Sequence, residues 1–95
     1  MTATITHNIA AQRFETLIDD KVAYLSYRIV DEQTLDYNHT IVPAELGGRG
    51  LGTALVKFAL EYATDSRKKV IASCSFVANY INKQQNYHHL LHKNS

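Results

Sequence analysis

The sequence contains few of the residues that cross-link a chain or restrict its backbone. Its 95 residues include one cysteine, one proline, four glycines and no tryptophan. A lone cysteine excludes an internal disulfide, so the stability of so short a chain must come from its packed core and its strand pairing. The length predicts one domain over residues 1–95, and the unpaired thiol favours a reducing, cytoplasmic location.

The sequence also lacks an excess of charge of one sign and a long hydrophobic run. Ten Lys and Arg residues oppose nine Asp and Glu residues, which gives a formal net charge of +1. Because no block of like charges occurs, we expect no nucleic-acid partner. The uncharged run over residues 70–81 contains Ser, Cys, Asn and Tyr and is too short to cross about 30 Å of hydrocarbon, so we expect no membrane partner either.

The first half of the chain predicts three or four short antiparallel strands. β-branched and aromatic residues are frequent there, and polar clusters at residues 18–21 and 30–33 separate them. Segments 13–18 and 34–42 would flank a central strand over residues 22–30. In that central strand one alternating set of side chains is apolar, as expected of a half-buried strand: Ala23, Leu25, Tyr27 and Ile29.

The hydrophobic period changes after Pro43. Apolar residues then recur at helical spacing: Leu51, Ala54, Leu55, Phe58, Ala59 and Tyr62. This pattern predicts an amphipathic helix from near Gly50 to near Ala63. Residues 69–73 then predict a buried strand, which the intervening helix makes parallel to segment 34–42. Two short helices are predicted after it, so the elements follow the order β, β, β, α, β, α.

All four glycines of the protein lie in one short segment between a strand and the strong helix. Glycine allows positive φ and close approach of a ligand to main-chain amides, and the first turn of a helix offers unpaired N–H groups. These features indicate a phosphate-binding loop, with a flexible turn as the alternative. The segment lacks the ending of a P-loop and the pattern of a dinucleotide-binding fingerprint.

The glycine segment resembles the acyl-CoA pyrophosphate loop of the GNAT superfamily of N-acetyltransferases. That loop reads Gln or Arg, two residues, Gly, one residue, and Gly or Ala at the start of a helix. Residues 39–43, 48–56, 74–77 and 80–81 extend the resemblance to the short, single-domain branch of the superfamily. The resemblance implies an α+β, minimal GNAT fold: a mostly antiparallel sheet with a splayed parallel strand pair and two to three helices.

The resemblance also implies that acetyl-CoA is the cosubstrate and lies between strands 36–42 and 69–73. Main-chain groups near Ile41 and Val42 would pair with its pantetheine arm. Its pyrophosphate would bind the glycine segment: Gly47, Gly48, Arg49, Gly50, Leu51, Gly52 and Thr53. The opening Arg or Gln of the motif falls on Gly47, so that side chain is missing from this chain.

Three side chains are candidates for proton transfer. His39 lies on the predicted cofactor strand, and histidine as a residue type suits a base that works near neutral pH. Cys74, where the second strand gives way to a helix, is a second proton-transfer group or, less in keeping with the superfamily, an acyl carrier. The superfamily implies a tyrosine on that helix as the proton donor to the CoA thiolate; we assign it to Tyr80, which is one position from the motif's place, with packing in the core as the alternative. We expect His39 and Cys74 to face one another, and a structural role is the alternative for each.

Together these features predict an enzyme that moves an acetyl group directly from acetyl-CoA to an amine. The helices that the superfamily places between its first two strands are missing, which leaves the acceptor side open and suits a peptide or protein acceptor. With Gly47, the open side also favours an alternative, a non-catalytic module that binds acyl-CoA or a partner protein. We expect a monomer or weak dimer. We predict no metal site, because His88, His89 and His92 have no nearby carboxylate or thiol in the sequence.

Overall fold

A computed structural model describes residues 4–92 of the chain. It contains one five-stranded sheet in which the strands neighbour one another in the order of the sequence. The first four strands are antiparallel to their neighbours, whereas the fifth is parallel to the fourth. The strands are β1 (Thr6–Asn8), β2 (Arg13–Ile18), β3 (Lys21–Asp31), β4 (Thr34–Ile41) and β5 (Lys69–Ala72).

Two α-helices and two 3₁₀ helices complete the fold. Helix α1 (Leu51–Asp65) connects β4 to β5, and α2 (Ser75–Lys83) follows β5. The 3₁₀ helices cover Ala44–Leu46 and Gln85–Leu90. The buried side chains of these helices and of one sheet face form a single apolar cluster. Its fully buried members include Phe14, Leu25 and Tyr37 from the sheet, Leu55 and Leu60 from α1, and Val77 and Ile81 from α2.

The other face of the sheet carries no helix within residues 4–92. The pleat and the strand register place polar and charged side chains there together with a few apolar ones. None of these apolar side chains belongs to the buried cluster, and Leu17 is 67% exposed. The fold is therefore packed on one side only. Within the described residues, no helix has the length and apolar character of a transmembrane segment.

The parallel pairing of β4 with β5 is short. It joins Thr34 to Lys69 at one end and Tyr37 to Ala72 at the other, after which β5 ends while β4 continues. The register between β3 and β4 shifts at the same level, because Tyr27 pairs with Tyr37 whereas Ser26 pairs with His39. Asn38 is thus the extra residue of a β-bulge, a feature that bends a strand and increases its twist. The bulge coincides with the point where β4 and β5 separate.

The sequence-based prediction of the fold class is confirmed. The sheet is mostly antiparallel with one parallel pair, and its predicted strands and central helix lie within one or two residues of their predicted positions. Two elements were not specified by the hydrophobic patterns, namely the three-residue strand β1 and the 3₁₀ helix Ala44–Leu46. Both are too short to show a hydrophobic period. Ile29 also departs from its alternating set, since it lies near the end of β3 and is 54% exposed.

Helix α1 ends in a Schellman arrangement. The N–H of Lys68 donates to Ala63 O at 2.9 Å, and the N–H of Arg67 donates to Thr64 O at 3.2 Å. This geometry gives Arg67 a φ of 58°, a left-handed conformation in which glycine is normally found. Arg67 is exposed, and it takes part in none of the ion pairs found within residues 4–92. Its β-carbon therefore adds strain, and its side chain makes no compensating ion pair or hydrogen bond with the described residues.

Replacing Arg67 by glycine should stabilise the fold. We expect Arg67→Gly to gain about 0.5–1 kcal/mol and to raise Tm by about 2–8 °C in a thermal unfolding experiment. Arg67→Ala is the matched control, because it removes the same charge but keeps the β-carbon that disfavours positive φ. An equal gain from both variants would attribute the effect to charge and would contradict the backbone explanation.

Candidate functional site

The candidate site is the opening where β4 and β5 separate. The last main-chain link between the two segments is the N–H of Cys74, which donates to Tyr37 O at 3.0 Å. Beyond it, β4 continues to Ile41, and the chain after β5 turns into α2. The edge of β4 that faces this opening has no strand partner within residues 4–92. It can therefore pair with an extended group that enters from outside.

Cys74 lies at this opening, at the N-cap position of α2. Its Sγ is 3.5 Å from the Thr40 hydroxyl oxygen on β4, and the thiol is half-buried. Burial alone would raise the pKa of the Cys74 thiol. The Thr40 hydroxyl and the backbone N–H groups of Val77, Phe76 and Thr40 stabilise the thiolate and outweigh that effect, so the pKa lies below its usual value. The Cys74 side chain does not form an N-cap hydrogen bond with the first turn of α2.

His39 lies on β4 but does not face Cys74. Successive side chains of a strand point to opposite sides, and Thr40 is the residue that contacts the thiol. His39 pairs with Ser26 on the face that carries no helix, and its side chain is exposed. The expectation that His39 and Cys74 face one another therefore differs from the structure. The two side chains flank the same stretch of β4 from opposite sides.

The residues around the β4 bulge were missed by sequence reasoning. The Ser26 hydroxyl donates to Asn38 Oδ1 at 2.7 Å and holds the bulged residue against β3. Thr40 supplies the contact that reaches Cys74 across the opening. Neither feature has a signal in the sequence, because a bulge changes the register without changing the apolar pattern that precedes it. Only the polarity of the segment 38–40 marks it as unusual for a strand.

The glycine segment forms a turn whose main-chain amides point away from internal partners. Gly48 and Gly50 have φ values of 82° and 74°, which favour glycine at both positions. Gly50 is the N-cap of α1 and provides no side-chain cap, and its carbonyl accepts the N–H of Ala54 at 3.1 Å. Within the described residues, the amides of 48–53 donate no hydrogen bond to another main-chain group. Unpaired amides at a helix start are a binding site for an anion.

The other two glycines, Gly47 and Gly52, have structural roles. The N–H of Gly47 donates to Ala44 O at 3.0 Å and closes the 3₁₀ helix Ala44–Leu46, so it is not free for a ligand. A β-carbon on Gly52 would lie 3.0 Å from the ring of Phe76 on α2. Gly52 therefore allows α2 to pack closely against the start of α1. The structure thus separates the predicted loop residues into amides that are free and positions that serve packing.

The remaining predicted loop residues contribute unequally. The guanidinium of Arg49 lies 3.6 Å from the Asp19 carboxylate in the β2–β3 turn, and both side chains are largely exposed. An ion pair of this kind is weak, so it leaves Arg49 free to exchange partners. Leu51 is only 6% exposed and faces the core, so only its amide is available. Thr53 is exposed on the first turn of α1.

The last three predicted residues lie at the end of β4 and on α2. Ile41 pairs with Tyr24 at the end of β4 and is 45% exposed, whereas Val42 packs against the core. Tyr80 is partly buried on α2, with its ring 6.2 Å from that of Tyr87. The catalytic role of Tyr80 stays a prediction. Within residues 4–92, no group of three or more His, Cys, Asp or Glu side chains is arranged to hold a metal ion.

These features define a class of protein. A mostly antiparallel sheet whose parallel strand pair opens beside an uncapped helix start is the fold of the GNAT acyltransferases. The sequence profile of the GCN5-related N-acetyl-transferase family matches residues 13–90. The chain belongs to this family.

Similar proteins agree with that assignment. Protein NATD1 of Xenopus tropicalis and protein NATD1 of Homo sapiens are each 32% identical to the chain over 59 residues, or 62% of its length. The matched part is 54% and 52% of those proteins, so the chain spans about half the length of these curated relatives. A GCN5-like candidate N-acetyltransferase from Staphylococcus aureus, solved by NMR, superimposes with a TM-score of 0.75. It is 32% identical, and the match covers 98% of this chain and 91% of that one.

Proposed function

We propose that the protein binds acetyl-CoA and transfers its acetyl group directly to an amine. The observation that carries this proposal is the position of the free amides of residues 48–53 next to the unpaired edge of β4. The first group suits a pyrophosphate and the second suits an extended chain of amides such as pantetheine. Both requirements of a CoA thioester are thus met at neighbouring places on one surface.

The unpaired edge of β4 also offers a hydrogen-bond donor for the thioester carbonyl. Thr40 lies beyond the bulge on the part of β4 that no longer pairs with β5, and its N–H helps to stabilise the nearby Cys74 thiolate. An N–H in this position would donate to the carbonyl oxygen and to the negative charge that grows on it during transfer. Such a donor is worth roughly 3–4 kcal/mol of transition-state stabilisation.

His39 and Cys74 suit different proton transfers because they flank β4 from opposite sides. A lysine-like amine is deprotonated in only about one molecule in 2500 at pH 7, so a base is useful. His39 would accept the proton that the amine loses as its nitrogen bonds to the acetyl carbon. Cys74 would donate a proton to the sulfur that leaves when the thioester bond breaks. A thiol with a lowered pKa is a stronger acid than an ordinary one, which fits this role.

The acceptor would approach on the sheet face that carries no helix. His39 is exposed there beside Ser26, and no helix within residues 4–92 encloses a small pocket around it. An open face of this kind fits a peptide or a protein segment better than a small metabolite. Tyr80, on α2, is proposed as a second proton donor to the CoA sulfur.

A second candidate function is a module that binds acyl-CoA without turnover. Gly47 favours it, because the chain lacks the side chain that the family's motif places there and the Gly47 amide is used internally. Calorimetric titration with acetyl-CoA and with CoA separates both functions from a protein that binds neither. Release of CoA in the presence of lysine-containing peptides then separates the enzyme from the module.

The first prediction about the site concerns Gly50. We expect Gly50→Asn to keep the fold, since asparagine tolerates positive φ, but to weaken acetyl-CoA binding at least about tenfold by blocking the amides. Gly50→Val should abolish binding. Arg67→Asn is the matched control, because it places the same residue at a similar φ at the far end of α1. Unchanged affinity in a folded Gly50→Asn variant would show that this turn does not bind the cosubstrate.

The second concerns the missing side chain at position 47. Gly47 has an ordinary φ of −61°, and a β-carbon there would lie 3.2 Å from Ala44 O. Gly47→Arg should tighten acetyl-CoA binding about threefold to tenfold relative to Gly47→Ala, which makes the same tight contact without the charge. The gain should fade as salt is added. Equal affinities of the two variants in calorimetry would mean that position 47 does not face the pyrophosphate.

The third concerns the two proton-transfer residues. We expect His39→Ala and Cys74→Ala each to lower kcat by about 10² to 10⁴ with little change in acetyl-CoA affinity. Cys74→Ser keeps a proton but removes a good nucleophile, so appreciable activity should remain if transfer is direct. A nearly inactive Cys74→Ser variant, together with an acetyl adduct on Cys74 that passes to an amine, would overturn direct transfer. Mass spectrometry after incubation with acetyl-CoA alone detects that adduct.

A further inference from the structure

Thr40 is the residue that connects the two sides of the opening. Its hydroxyl lies 3.5 Å from the sulfur of Cys74, although the two residues are 34 positions apart in the chain. Thr40 comes directly after the bulge-paired stretch of β4, and its strand partner Leu25 is fully buried. A β-branched side chain on a strand beside a packed core has little rotational freedom at χ1. The hydroxyl is therefore held in place before any ligand enters.

We propose that Thr40 is a positioning residue that holds the Cys74 thiol at the mouth of the opening between β4 and β5. The inference rests on the proposed role of Cys74, but its test needs no acetyl transfer. Thr40 contributes a hydroxyl that lies 3.5 Å from the sulfur and a backbone N–H that also favours the thiolate. A side-chain substitution removes the first and keeps the second, so the contribution of the hydroxyl can be measured separately.

The surroundings of the sulfur contain few other groups that act on its charge. The groups that favour the thiolate are the Thr40 hydroxyl and amide on β4 and the amides of Phe76 and Val77 on α2. No charged side chain contributes to the lowered pKa of Cys74, and the nearest histidine in sequence on β4, His39, points to the other side of that strand. Thr40 is thus the one side chain that contributes to the lowered pKa of Cys74, so its substitution tests this contribution directly.

The experiment measures the rate of Cys74 alkylation by iodoacetamide as a function of pH. The chain has one cysteine, so the total rate reports this thiol alone. We expect Thr40→Val, which keeps the shape of the side chain, to move the midpoint of the profile up by about half to one pH unit. At neutral pH the alkylation rate should fall about threefold to tenfold. Thr40→Ser should restore the midpoint because it restores the hydroxyl.

Two controls keep the result specific. Thr64→Val makes the same side-chain change on the last turn of α1, where the hydroxyl donates to Leu60 O, and should leave the midpoint unchanged. Thr40→Ala is the second variant, to be used if Thr40→Val does not fold. A folded hydroxyl-free variant with an unchanged midpoint would overturn the proposal, as would a Thr40→Ser variant shifted as far as Thr40→Val. Failure of acetyl-CoA to bind would overturn the proposed function and would leave this profile intact.

Discussion

The buried Tyr37 side chain is the point on which the arrangement of the site depends. It is fully buried, its hydroxyl donates to Ala59 O on α1 at 2.6 Å, and its own carbonyl accepts the N–H of Cys74. The same residue makes the last pairing with β5, opposite Ala72. Tyr37 therefore ties the helix, the parallel strand pair and the start of α2 together at one level. A buried phenol needs such a partner, because leaving its hydroxyl unpaired would cost about 1–3 kcal/mol.

Beyond Tyr37, β4 no longer pairs with β5. The bulge at Asn38 turns the strand away from β5 while pairing with β3 is kept, so the main chain at Thr40 faces an opening instead of a partner. An unpaired strand edge is normally a liability in a protein. Here it lies beside the uncapped start of α1, so two sets of unsatisfied donors share one surface. That coincidence is what a ligand with both a phosphate and an amide chain can use.

Periodicity is local, and it predicted those parts of the fold that local pattern controls. The alternation through Ala23, Leu25 and Tyr27 matches the buried face of β3. The predicted apolar stripe of α1 matches its buried face only in part, because Leu51, Leu55 and Ala59 are buried whereas Phe58 is 38% exposed. The position of the bulge was not predictable in this way, because register depends on contacts between distant strands. Since the bulge decides which side each later residue of β4 takes, the placing of His39 and Thr40 relative to Cys74 could not be predicted either. The sequence predicted where the glycine segment lies, but it did not predict that Gly52 leaves room for the ring of Phe76.

Because the helices of this short chain pack on one face of the sheet only, the opposite face is a polar surface. With helices on one face only, the other sheet face must remain compatible with water, and it does so through ion pairs such as Arg13 with Glu15 and Arg28 with Asp36. Asp36 is 7% exposed, and its Oδ1 has no hydrogen-bond partner within residues 4–92, so this face keeps an unsatisfied polar atom on the strand that also carries His39. Arg13 and Glu15 are both partly exposed, so their ion pair contributes little to stability. Because α1 and α2 both pack on the opposite face of the sheet, the face that carries His39 stays accessible to the proposed peptide or protein acceptor.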